Sequence, residues 1–94
     1  MLNKKSSRKF VLIQGLIEQK IDNKITIFIP EVSELITFNE TGSFIFSKLK
    51  KKLTEGEIIK KLIEKYEVNQ ITAENDFRLF IDQLYKKKLL FFDE

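Results

Sequence analysis

The sequence predicts an α+β fold, with a three-stranded antiparallel sheet followed by three helices. Two periodicities and one composition figure lead there. Before residue 39 apolar residues alternate with period two, most clearly in Ile25-Thr26-Ile27-Phe28-Ile29. From Asn39 onward they recur every three or four residues. Ile, Leu, Phe and Val make up 36 of the 94 residues, so a core is available for the two layers to share.

The elements follow in order. Residues 1–9 hold Lys4, Lys5, Arg8 and Lys9 and no acid, which predicts a basic, flexible tail. The formal net charge of +3 comes from this tail; the remaining chain has one more acid than it has bases. The predicted domain is residues 10–92. Phe10–Glu18 reads as the first strand, with Gly15 marking a bulge or close approach inside it. Asp22-Asn23 supplies a turn into the second strand, Ile25–Ile29, which Pro30 ends because it has no N–H for a ladder. Leu35–Phe38 reads as a short third strand.

Asn39 caps a first helix over about 40–50. Thr54 and Glu57 have capping-box spacing, and Ile58, Ile59, Leu62, Ile63 and Tyr66 give the second helix, 55–66, one apolar face. Thr72 is expected to cap the third helix, with Glu74 and Asp76 in its first turn at the positive end of the dipole. Phe77, Phe80, Ile81 and Leu84 form its buried stripe. Lys86-Lys87-Lys88 closes it, and Leu89–Phe92 is a short extended tail.

The chemistry is narrow. With no His and no Cys there is no thiol nucleophile, no Ser-His-Asp triad, no Cys/His zinc site and no disulfide. Gly15, Gly42 and Gly56 stand alone, so no phosphate-cradling glycine loop exists. The sequence predicts no catalytic residue, no cofactor and no metal. No stretch is long enough to span a bilayer, and the expected location is the cytoplasm.

Two features suggest binding. The third strand, preceded by Glu34, carries no charge and no Pro from Leu35 to Phe38, although edge strands are normally blunted. Such an edge suits the addition of an incoming strand, or strand exchange in a homodimer. On a helical wheel with Phe77 at zero, Arg78, Asp82 and Tyr85 fall at about 80–140°, beside the core stripe, and Leu79 near 200°. That flank is a candidate wall for a peptide. The alternative is a winged-helix nucleic-acid binder, with helices two and three as a helix-turn-helix. Glu74 and Asp76 near the start of the would-be recognition helix argue against it, because they repel phosphates.

Pro30-Glu31, Phe38-Asn39-Glu40-Thr41-Gly42, Thr54-x-x-Glu57-Ile58, Asp76-Phe77-x-x-Phe80-Ile81-x-x-Leu84 and Leu89-Leu90 together resemble the PqqD-like family over about residues 10–90. These are leader-peptide-binding proteins, or RiPP recognition elements, of ribosomal peptide natural-product pathways. The chain departs from the family in two turns. It has Lys50-Lys51-Lys52 where the family often has Asp-Gly, and Lys88 where it often has Gly. The resemblance implies a winged helix-turn-helix-like fold without DNA binding. It implies that the leader segment of a precursor peptide adds beside the third strand, in a groove walled by the third helix. The core peptide is then presented to a separate enzyme, a radical-SAM protein or a leader peptidase. The implied peptide-binding residues are Glu34, Leu35, Ile36, Thr37 and Phe38, with Arg78, Leu79, Asp82 and Tyr85 on the helix.

Overall fold

Helices cover one face of a small antiparallel sheet, and a second, two-stranded ribbon joins the chain ends. The computed structural model describes residues 9–93; the tail expected at residues 1–9 lies outside them except for Lys9, which opens the first strand. The elements are β1 (Lys9–Leu12), β2 (Ile17–Ile21), β3 (Lys24–Ile29), β4 (Glu34–Thr37), α1 (Glu40–Lys50), α2 (Glu55–Tyr66), α3 (Gln70–Lys86) and β5 (Leu90–Asp93). The three-stranded sheet has the order β2-β3-β4, and β1 pairs with β5 apart from it.

The three-stranded sheet and three helices match the expectation, but its first strand does not. Phe10–Glu18 is two strands, β1 and β2, which belong to different sheets. Gly15 lies between them at φ +91°, a left-handed conformation open to glycine at no steric cost. Beyond this break β2 pairs with β3, while Phe10 and Leu12 face Phe92 and Leu90 in the ribbon. The extended tail after the last helix is therefore β5, and Ile13 N–H continues its ladder to the Leu89 carbonyl at 3.0 Å.

The β2–β3 hairpin closes on Asp22-Asn23 as expected, Ile21 facing Lys24. Asp22 takes φ 57°, which a short polar side chain tolerates. Ile25, Ile27 and Ile29 all point into the core. Phe28 and Thr26 point the other way, aligned with Leu35 and Thr37 of β4.

Each helix start is capped. Asn39 accepts the Gly42 N–H at 2.8 Å, and Thr54 and Glu57 form the full capping box. The third helix starts three residues earlier than expected. Its cap is Asn69, which accepts the Thr72 N–H at 2.8 Å, so Thr72 is inside the helix and Glu74 and Asp76 lie beyond its first turn. Asn is the stronger cap, which settles the competition. One buried cluster joins the layers, with Phe38 edge-on to Phe80 at 4.9 Å and Phe10 tilted on Phe77 at 5.7 Å.

Candidate functional site

The site begins at the free edge of β4. Backbone hydrogen bonding fixes which groups are open. Phe38 N–H donates to the Ile25 carbonyl at 2.9 Å, so Ile25 and Phe38 are a bonded pair. In an antiparallel ladder bonded and non-bonded pairs alternate. Ile27–Ile36 and Ile29–Glu34 are therefore the other bonded pairs. Leu35 and Thr37 face Phe28 and Thr26 without backbone bonds to them, and their N–H and C=O groups point outward from the sheet edge. No strand of the described residues lies beyond β4.

Beside this edge runs a groove of about 580 Å³ between β4 and α3. Ile36, Thr37 and Phe38 contribute from the sheet side; Phe80, Gln83, Leu84, Lys86 and Lys87 contribute from the helix. Lys87 crosses from the helix end to Glu34 at 3.0 Å. A second cavity of about 230 Å³ shares Asn39, Phe80 and Gln83 with the first and extends it past Leu79 and Asp76 towards α1. The floor is aromatic and buried, the rim is polar, and the long side is a row of unpaired main-chain groups.

Gly42 holds the two walls together. A Cβ on it would meet Phe80 Cε1 at 2.9 Å, so only glycine lets α1 come this close to α3.

The expected site residues divide. Glu34, Leu35, Ile36, Thr37 and Phe38 form the edge and its continuation, and Leu79 lines the extension of the groove. Arg78, Asp82 and Tyr85 do not line the groove. Arg78 reaches Asn75 at 3.4 Å, Asp82 pairs with Lys86 at 3.0 Å, and Tyr85 stacks on Phe92 of β5 with ring centres 5.1 Å apart. The groove takes the opposite flank of α3, that of Leu79, Phe80, Gln83 and Lys87. The physical reason is the ribbon: β5 packs against α3 on the Tyr85 side, and β4 has the other. Gln83 and Lys87, four residues apart on one face, are the wall residues that sequence reasoning missed. The only signal for them was their place on the wheel opposite Tyr85.

The groups with shifted titration lie elsewhere. The Thr54 backbone and side-chain hydrogen bonds lower the Glu57 pKa. Burial, followed by repulsion from Lys51 and other lysines, lowers that of Lys48. Burial, reinforced by Glu40, raises that of Tyr66. Among the described residues no group of three or more His, Cys, Asp or Glu could hold a metal, and no helix is long and apolar enough to cross a membrane.

The fold and site together define a small α+β domain with an open sheet edge beside an apolar helical groove. A family model described as coenzyme PQQ synthesis protein D (PqqD) matches residues 25–90, and the chain belongs to that family. It is also similar to a solved structure, TbiB1 in complex with the TbiA(beta) leader peptide. The identity is 25%, the match covers 84% of this chain and 92% of that one, and the TM-score is 0.78. No curated protein matches the chain.

Proposed function

We propose that this protein is a non-catalytic peptide-binding module, a RiPP recognition element. It captures the leader segment of a ribosomally made precursor peptide as a strand added to β4. The observation that carries this reading is the open edge at Leu35 and Thr37 beside the β4–α3 groove, in a family member similar to a leader-peptide complex. Main-chain hydrogen bonds to Leu35 and Thr37 give affinity, and the groove receives the side chain that falls opposite Ile36.

The bound precursor is presented to a separate enzyme, a radical-SAM protein or a leader peptidase, in the cytoplasm. The chemistry belongs to that partner, in keeping with a chain that has no His or Cys. The arrangement of sheet, α2 and α3 is winged-helix-like, and α3 serves as a groove wall rather than as a reader of DNA. Residues 10–92 act as one module.

The test is hydrogen exchange on the protein with and without the leader of the precursor peptide encoded beside its gene. Leu35 and Thr37 amides gain protection on binding. Ile36 and Phe38, already bonded to β3, do not. A saturating leader peptide that protects neither Leu35 nor Thr37 would refute strand addition.

A further inference from the structure

The solvent face of the sheet carries a feature that strand addition alone does not require. Ile17, Phe28 and Leu35 are in register across β2, β3 and β4 and share one face. Ile17 is 60% exposed and Leu35 69%. Scattered exposed apolar residues need no explanation, but these three form one row that stops at the open edge. The next row has a different chemistry. Thr26 and Thr37 face each other and their hydroxyls are 2.8 Å apart.

The register determines what these rows can touch. A strand bonded to Leu35 and Thr37 places the residues opposite them on the same outer face, one next to Leu35 and one next to Thr37. Directly opposed side chains in a sheet have Cβ atoms about 4.5–5.5 Å apart and interact as pairs. Phe28 backs Leu35 from behind, so the leucine offers a supported apolar surface. The Thr37 hydroxyl has one interaction with Thr26 and retains capacity for another.

We infer that the outer face of β4 is a second specificity surface for the bound peptide, separate from the groove: Leu35 selects an apolar outward residue, and Thr37 a Ser or Thr two positions away. The ligand is thus a strand with an apolar residue and a hydroxyl residue flanking the one that enters the groove. This rests on the strand-addition reading and adds to it a sequence requirement on the face turned away from α3. The row ends where the peptide begins, and bound peptide extends it to a fourth strand.

The test uses a phage-displayed random octapeptide library, selected in parallel on the protein and on its Leu35→Thr variant. Leu35 is largely exposed and Thr is a good strand former, so the variant keeps the fold, as circular dichroism will verify. The protein enriches peptides with an apolar residue and a Ser or Thr at positions i and i+2. Leu35→Thr loses the apolar preference at the outward position but retains the preference for the groove residue. A synthetic peptide of the enriched sequence binds Leu35→Thr about two- to fivefold more weakly. Identical outward preferences in the two selections would overturn the inference while strand addition stood. Failure to enrich any peptide, with no protection of the Leu35 and Thr37 amides, would overturn the reading beneath it. Light scattering supplies the remaining check: a monomer is expected, and a dimer abolished by Leu35→Thr would assign the row to a second copy instead.

Discussion

At the scale of single residues, two small residues in α1 set the geometry of the edge and the groove. Gly42 permits the approach of α1 to α3, because a Cβ there would meet the Phe80 ring at 2.9 Å. Phe80 is buried against Phe38 and cannot swing aside freely. Gly42→Ala overpacks this contact, and urea unfolding will show a loss of about 1–3 kcal/mol. Its displaced Phe80 also lines the groove, so leader affinity falls with stability. Ser43 is the one buried polar side chain among the described residues. Its Oγ accepts the Ile25 N–H at 2.8 Å and lies 3.4 Å from the Phe38 carbonyl, to which it donates. It thereby completes the ladder where β4 gives way to α1. Ser43→Ala leaves the Ile25 N–H buried without a partner, at a cost of about 1–3 kcal/mol in the same assay. Neither role was legible in the sequence. Asn39 and Thr54 announce themselves as caps by spacing, whereas Gly42 and Ser43 matter through residues brought near them by tertiary folding.

At the scale of elements, the ends of α1 and α3 place lysines in left-handed turn positions. Lys52 and Lys88 adopt φ of 65° and 61°, the left-handed conformation in which glycine is the usual occupant. After each of them the chain bonds back to the helix, Leu53 N–H to the Lys48 carbonyl and Leu89 N–H to the Leu84 carbonyl. Both closures keep the hydrogen bonding of a glycine-ended helix with a side chain that strains it. Lys88→Gly therefore raises stability by about 1 kcal/mol, read as a higher urea midpoint at unchanged slope. At the start of α2 the charge of Glu57 matters. Its pKa is lowered by the Thr54 backbone and side-chain hydrogen bonds, so the folded state prefers the carboxylate. A group depressed on folding stabilises above its unfolded value and loses that contribution as pH falls through the folded one. Glu57→Gln keeps an acceptor without the charge. The variant is less stable than the parent at neutral pH, and the gap closes as pH drops below the ordinary value of 4.5. The helices were legible because caps and apolar spacing are local. The split of Phe10–Glu18 was not, because it depends on β5 at the far end of the chain, which captures β1 and leaves β2 to β3.

At the scale of the whole molecule, the β1–β5 ribbon determines which flank of α3 is free. A helical wheel gives the core stripe of α3 but treats its two flanks alike, so no local pattern could assign the groove. The ribbon breaks that symmetry. Leu89 and Leu90 are almost wholly buried, and Phe92 stacks on Tyr85, so the ribbon occupies one flank of α3. The other flank, with Leu79 and Gln83, borders the groove. Folding and binding should therefore separate cleanly by substitution. Leu90→Ala empties a site that is 0% exposed, and costs about 2–5 kcal/mol. Leu79 is 66% exposed, and Leu79→Glu changes stability by no more than about 0.5 kcal/mol. It does, however, place a second carboxylate beside Asp76 in the extension of the groove and removes an apolar contact there, and leader binding weakens about tenfold or more by calorimetry. Arg78→Glu, on the ribbon side of the same helix, is the control, because it puts a carboxylate within one residue of Leu79 and changes the net charge by more than Leu79→Glu does. Leader affinity unchanged by Arg78→Glu and reduced by Leu79→Glu locates the peptide between α3 and β4. Equal losses in the two would mean general electrostatic repulsion and remove the groove from the account.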